Sequence, residues 1–142
     1  MRGKVNGRFA PNRDAEPEED DSSRWLGTYG DAVTAARDAL AKEGFGVLTE
    51  IDVKATMKKK LDKDMDDYRI LGACNPNMAY QAIGLEPKVG AMLPCNVILR
   101  RVDEGIQVSA IDPVASMQGI DNEELKAVAV QVRSMLADVV ES

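Results

Sequence analysis

The chain has 142 residues, 44% of them hydrophobic and 30% charged, which is typical of a single domain with one hydrophobic core. A formal net charge of −6 argues against binding to nucleic acid or anionic membranes, and the lack of histidine excludes Ser-His-Asp and Cys-His catalysis. Neither a membrane span nor the apolar core of a secretory signal is present, so we expect a cytoplasmic protein.

Residues 1–23 differ in composition from the rest of the chain. They are polar, and they contain an acidic cluster from Glu16 to Asp21. Such a segment cannot bury enough apolar surface to offset the entropy of ordering it. We therefore predict a disordered acidic tail over residues 1–23, followed by one α+β domain over residues 24–142.

Periodic patterns predict the elements of the first half of this domain. Asp31 suits a helix N-cap, and Gly44 ends the apolar pattern that follows it. The run GFGVLTEID alternates like a strand and closes at Asp52, which can cap a second helix over VKATMKKKLDK. The run YRILGAC predicts the next strand.

The second half predicts a helix, a hairpin and a long final helix. Asn75 and Pro76 suit the N-cap and the first position of the helix that opens with NPNMAYQAIG. AMLPCNVILRRV and IQVSAID flank the turn signal DEG and read as a hairpin. Asp112-Pro113 repeats the pattern of a cap followed by proline. Asp121 and Glu124 form a capping box before the long amphipathic helix.

The order of these elements indicates a fold class. After the tail come helix, strand, helix, strand, helix, hairpin and helix. We predict an α+β two-layer sandwich, in which helices pack on a small mixed sheet of about four strands and a long helix follows the C-terminal hairpin.

Four blocks of sequence carry a family resemblance: GFGVLTEIDVKAT, YRILGACNP, LPCNV and VSAIDP. In this order they closely resemble the bacterial and archaeal family catalogued as domain of unknown function number three hundred and two. The resemblance implies a small α+β domain that self-associates as a homodimer and has no established activity. Family members begin with a β-branched strand, whereas SSRWLGTYG is rich in glycine. A first strand is therefore expected to be short, within Arg24 to Thr28, or absent.

The two cysteines are the candidates for chemistry. Free cysteine is often a small core hydrophobe, and that is one interpretation of both. Cys74, however, directly precedes the predicted N-terminus of a helix, where the helix dipole can lower the pKa of a thiol. Cys95 begins a strand instead and has no helix dipole beside it. The sequence therefore favours Cys74 as the reactive thiol, if either one reacts.

Polar residues at the predicted strand ends complete the candidate site. Small ligands bind where the carboxyl ends of parallel strands meet helix N-termini, and Asp52, Asn75 and Asp112 each end a strand and begin a helix. The aspartates are more simply capping residues, and an asparagine commonly bonds its local backbone. The candidate ligand-binding residues are Cys74, Asn75, Cys95, Asn96, Asp52 and Asp112.

The distance between the cysteines depends on strand direction. A helical connection usually joins parallel strands, which would put Cys74 and Cys95 at opposite edges of the sheet, ~20 Å apart. Antiparallel strands would put both thiols at one edge, and the repeated patterns ACNP and PCNV favour that alternative. We expect two reduced thiols near each other. The hairpin turn predicts that Asn96 faces Asp112 and that Cys95 faces Pro113.

Two classes of function remain open. One is a non-catalytic ligand-binding or oligomeric module, which the sequence favours because no second catalytic group stands at a fixed spacing from either thiol. The other is a thiol-dependent redox, sulfur-handling or soft-metal-binding protein that uses Cys74, with or without Cys95. We expect no cofactor and no dedicated metal site.

Overall fold

The structure, a computed structural model, describes residues 5–6, 24–25 and 28–141, and the side chains of residues 28–141. The strands are β1 (Val5–Asn6), β2 (Arg24–Trp25), β3 (Gly46–Asp52), β4 (Tyr68–Cys74), β5 (Cys95–Val102) and β6 (Gly105–Ile111). The helices are α1 (Tyr29–Lys42), α2 (Val53–Leu61), α3 (Pro76–Leu85), α4 (Pro113–Ser116) and α5 (Glu123–Glu141), with a 3₁₀ helix over Pro87–Met92.

One mixed sheet contains all the described strands. Strands β3, β4, β5 and β6 follow one another as antiparallel neighbours, so that β3 lies at one edge. β1 pairs with β6 in parallel and β2 pairs with β6 antiparallel. The predicted α+β class, the hairpin and the long final helix are confirmed.

Only a small part of the predicted N-terminal tail lies within the described residues. Within residues 1–23, only Val5–Asn6 is described, and this pair forms a strand beside Ala110 and Ile111, unlike the predicted lack of regular structure. The rest of the predicted tail lies outside the described residues. Arg24–Trp25 supplies the short strand that was one of two alternatives for this segment.

Polar caps fix where the helices begin. Asp52, Asn75 and Asp112 cap α2, α3 and α4, as the sequence predicts. Asp31 is not a cap, because the Thr28 hydroxyl accepts a hydrogen bond from the Asp31 backbone N–H at 3.1 Å. This places Asp31 in the first turn of α1, where its negative charge interacts favourably with the helix dipole.

The start of α5 also differs from the prediction. The Asn122 side chain accepts a hydrogen bond from the Leu125 backbone N–H at 3.0 Å, so Asn122 is the cap. Asp121 was predicted to be the cap, and that prediction is wrong by one residue. Two adjacent cap-forming residues compete at this position, and the sequence alone does not separate them.

Two apolar clusters form the core of the described part of the chain. The larger lies between one face of the sheet and helices α1 and α5, and it includes Leu40, Leu71, Leu99 and Leu136. The smaller joins α3, the 3₁₀ helix, α4 and the first turns of α5; its buried residues are Ala82, Val89, Met117, Leu125 and Ala129. Among the described helices, none is long and apolar enough to cross a membrane.

Candidate functional site

The connection between β4 and β5 brings the two cysteines to one end of the sheet, where β4 finishes and β5 starts. The chain leaves β4 through α3, returns through the 3₁₀ helix and enters β5 antiparallel to β4. Ala73 pairs with Cys95 across this ladder, so Cys74 lies one residue beyond the partner of Cys95. The antiparallel alternative is therefore correct, and both cysteines are free.

An apolar cavity of about 230 Å³ lies at this end of the sheet. The ends of β4 and β5 form one wall, α3 forms a second, and α5 forms a third. Cys74, Asn75 and Cys95 all line the cavity, as do Leu48 and Pro113. Three of the six predicted site residues are thus brought together.

The cavity lies where the two core clusters meet. Cys95 belongs to the larger cluster and Met117 to the smaller, and both line the cavity. The side chains that face the space from three different elements are small: Ala73 on β4, Ala82 on α3 and Ala129 on α5. Each is almost fully buried, yet none reaches across the gap. The space follows from this juxtaposition of alanines, because a short side chain cannot fill the distance between packed elements.

Asn75 holds three elements together beside the cavity. Its side-chain oxygen accepts a hydrogen bond from the Met78 backbone N–H at 3.3 Å and caps α3. Its side-chain nitrogen donates to the Glu43 carbonyl oxygen at 3.2 Å and lies 3.7 Å from the Met135 sulfur. With its amide engaged on both sides, Asn75 positions α3 against α1 and α5 and does not present a free polar group to a ligand.

The two thiols differ in their surroundings. Cys95 is only 8% exposed, and burial followed by the proximity of Cys74 raises the pKa of its thiol to about 11. Burial has this effect because a low-dielectric environment disfavours the thiolate. Cys95 is therefore a protonated thiol at neutral pH, as expected for the less reactive of the two. Cys74 is partly exposed at the end of β4.

Asp112 lies beside the cavity without lining it. The observed hairpin pairs Val102 with Gly105 and Val97 with Ala110. Extended by two residues, this register places Cys95 opposite Asp112, so the predicted pairing of Asn96 with Asp112 is wrong by one residue. The connecting turn has two residues, not three.

Both oxygens of the Asp112 carboxylate have partners within the domain. One of its oxygens accepts from the Val114 backbone N–H at 2.9 Å, and the other lies 3.7 Å from Arg133 Nε. The side chain is buried, caps α4 and pairs with an arginine on α5. Asn96 lies apart from the cavity, in a separate shallow depression that it shares with Met92 and Ser116.

Asp52 is at the opposite end of the sheet. It pairs with Arg69 across β3 and β4, whereas Gly46, at the other end of β3, pairs with Cys74. The candidate residue Asp52 therefore does not lie near Asn75 and Asp112, because antiparallel neighbours have their carboxyl ends at opposite ends of the sheet. Asp52 accepts from the Ala55 backbone N–H at 2.9 Å, as a cap does.

A surface network of charges surrounds Asp52. Glu50 is hydrogen-bonded to Arg37 and Arg69, and the Arg37 hydrogen bond is the main cause that holds the pKa of the Glu50 carboxyl below its usual value. Asp67 bonds Arg101 at 3.1 Å and lies 3.5 Å from Lys54. Each of these carboxylates already has a cationic partner, so the network explains Glu50 as a structural residue.

The chemistry available to the cavity is narrow. None of its described lining residues is charged, and its only polar groups besides the two thiols belong to Asn75 and the backbone. Within residues 28–141, no group of three Cys, Asp or Glu side chains is placed to hold a metal ion. The cavity is partly open to solvent, and it can hold an apolar molecule beside Cys95.

Sequence reasoning did not identify the other walls of the cavity. Ala82, Ala129 and Met117 line it, but in the sequence they read as ordinary apolar positions of helices. The available signal was the recurrence of alanine on the buried sides of α3 and α5, where larger residues would fill a core. This signal is weak without knowledge of which helices face each other.

Comparison with known proteins supports the fold and the family. The family model "Domain of unknown function DUF302" matches residues 22–142. The structure is similar to the crystal structure of an uncharacterized conserved protein DUF302 from Bacillus stearothermophilus, with a TM-score of 0.78, 22% identity, and coverage of 83% of this chain and 92% of that chain. None of the curated proteins matches this chain. Because the family model spans most of the chain, the protein belongs to the DUF302 family.

Proposed function

We propose that this domain is a non-catalytic module that binds a small apolar molecule in the cavity beside Cys95. The observation that carries the proposal is a space of about 230 Å³ whose described lining residues are uncharged and almost entirely apolar. The cavity is partly open, so its apolar walls are in contact with solvent. Binding of an apolar ligand would remove this apolar surface from water, which is favourable.

The size of the cavity limits the ligand. A dry apolar cavity of about 150 Å³ in another protein binds benzene. The present cavity is larger, so a single aromatic ring with a short substituent, or a small bicyclic compound such as indole, fits its volume. Ligands with so few atoms bind in the micromolar to millimolar range even when they fit well.

The lining also limits the polarity of the ligand. The Asn75 amide is engaged by Glu43 and Met135, and the Cys95 thiol is protonated. A ligand with a buried charge would find no partner among the lining residues, and an unpaired buried charge is strongly unfavourable. We therefore expect neutral ligands with at most one hydrogen-bonding group.

Indole is a suitable probe for titration calorimetry. Wild-type protein should bind one indole per chain. Ala129→Leu should weaken binding at least tenfold, because the larger side chain occupies the cavity. Ala127→Leu is the matched control, since Ala127 lies on the exposed side of the same helix, and it should bind like wild type. Lack of saturable binding to wild-type protein, or equal binding to Ala129→Leu, would overturn the proposal.

Self-association is a second proposed property, and the edge of the sheet supports it. Among the described strands, β3 is paired on one side only. It carries two exposed apolar side chains, Leu48 at 68% and Ile51 at 47% exposure. An unpaired strand with exposed apolar residues is a template for pairing with a second chain. We propose that two copies of the domain associate through β3.

A further inference from the structure

The apolar cavity reaches the protein surface at the edge strand β3. Leu48 of β3 lines the cavity and is 68% exposed, whereas the other described lining residues are buried or half-buried. Ala82, Cys95 and Ala129 are among the buried ones. The apolar lining therefore continues to solvent at Leu48, on the strand that ends the sheet.

The backbone of β3 is available for pairing at this position. Among the described strands, β3 is bonded only to β4, and Leu48 has no partner residue there because the register shifts between Val47 and Thr49. Natural edge strands are commonly protected by lysine or proline, and β3, with the sequence GVLTEID, contains neither. Its exposed Leu48 and Ile51 add apolar surface along an edge that can accept another strand.

The charges of β3 favour a second copy of the same strand as the partner. Two identical strands would repel each other if their carboxylates were unpaired. Glu50 is hydrogen-bonded to Arg37 and Arg69, and Asp52 lies 3.7 Å from Arg69. Because arginines of the same chain already pair with both carboxylates of β3, two copies of this edge can meet in a twofold arrangement with little repulsion.

Resting on the proposed function, we propose that the second copy supplies the missing wall of the cavity, so that the apolar ligand and the second copy strengthen each other's binding. The edge strand of the partner covers the opening at Leu48. A ligand in the dimer then loses more contact with water than a ligand in the monomer, and this additional burial of apolar surface is favourable. Coupling of this kind is reciprocal, because both events share one thermodynamic cycle.

The reciprocity gives the inference a quantitative form. The dimer has two cavities, and each contributes the same coupling to association. If indole binds the dimer about fivefold more tightly than the monomer, saturating indole should lower the dimer dissociation constant about 25-fold, which is the square of that factor. A ligand in a cavity that the second copy does not touch would leave the dissociation constant unchanged.

Sedimentation equilibrium and titration calorimetry measure the two sides of this coupling. Sedimentation of wild-type protein with and without saturating indole gives the two dimer dissociation constants. Ile51→Lys supplies the monomer for calorimetry, because Ile51 lies on the edge strand but does not line the cavity. It should bind indole about fivefold more weakly than dimeric wild type. Ile83→Lys is the matched control, since Ile83 is similarly exposed on α3 and also lies outside the lining, and it should dimerise and bind indole like wild type.

The outcomes separate this inference from the proposed function. If wild-type protein binds indole and dimerises, but indole leaves the dimer dissociation constant unchanged or raises it, the inference alone is overturned. A dimer that survives Ile51→Lys would overturn it as well, since the interface would lie elsewhere. If Ile51→Lys does not fold, wild-type protein diluted below its dimer dissociation constant supplies the monomer. A wild-type protein that does not bind indole, or that stays monomeric at high concentration, would overturn the corresponding proposed property and this inference together.

Discussion

Ala73 lies opposite Cys95 in the ladder between β4 and β5, and this pairing places Cys74 and Cys95 on one cavity. The relationship follows from the route of the chain, which leaves β4 at the edge where it later enters β5. The ladder fixes both backbones at this end of the sheet, although Cys95 is buried and Cys74 is partly exposed.

The two thiols should react at very different rates. With a pKa of about 11, about a thousandth of Cys95 is ionised at pH 8, and its burial further restricts access. We expect iodoacetamide to modify Cys74 in the native protein while Cys95 reacts only after denaturant is added. Peptide mapping by mass spectrometry measures both rates. Equal rates in the native state would show that Cys95 is accessible, contrary to its placement here.

Gly72 should be intolerant of any side chain. A Cβ atom at this position of β4 would clash with the Thr49 hydroxyl and would lie 2.8 Å from Pro94 Cγ. Gly72→Ala should lower the free energy of unfolding by about 1–3 kcal/mol through overpacking. Gly46→Ala is the control, since this strand glycine has nothing within 4 Å of the added Cβ. Urea unfolding compares the two variants, and equal stabilities would contradict the close packing at Gly72.

Asn75 should be a structural residue and not a ligand contact. Asn75→Ala removes the cap of α3 and the bond to the Glu43 carbonyl, so we expect a loss of about 1–2 kcal/mol in the free energy of unfolding. Asn77→Ala, at an exposed position of the same helix, should change it by less than about 0.5 kcal/mol. If Asn75→Ala keeps full stability but loses indole binding, the assignment is reversed and Asn75 contacts the ligand.

The proposed association through the edge strand β3 can be tested by introducing a charge on that strand. If β3 pairs with a second chain, Ile51→Lys should yield a monomer by light scattering at a concentration where wild-type protein is a dimer. Ile83→Lys is a close control, because Ile83 is 46% exposed on α3 and Ile51 is 47% exposed on β3. A monomeric wild-type protein at high concentration would dispose of self-association, and a dimer that survives Ile51→Lys would place the interface elsewhere.

Local chemistry explains which parts of the fold could be predicted. Asp52, Asn75 and Asp112 were correctly predicted as caps, because each combines an Asx side chain with the switch from a strand pattern to a helix. Asp31 and Asp121 failed because Thr28 and Asn122 stand nearby and cap equally well. Cap chemistry identifies the region of a helix start but not always the residue.

Long-range geometry explains what could not be predicted. The hairpin register depends on a two-residue turn in which Gly105, with φ of +142°, already belongs to β6. The direction of β5 depends on the 3₁₀ helix Pro87–Met92, which the sequence did not reveal. The cavity depends on Ala82 of α3 and Ala129 of α5 facing the same space. No local sequence pattern predicts which residues of two helices face each other.

Crystallography under xenon pressure tests the central claim most directly. Xenon enters dry apolar cavities large enough to hold it, and its electron density is strong. We predict a xenon peak between Ala129 and Cys95 in wild-type crystals and its loss in Ala129→Leu crystals. A wild-type map with no xenon at this position, or with side chains collapsed into the space, would contradict a preformed apolar binding cavity.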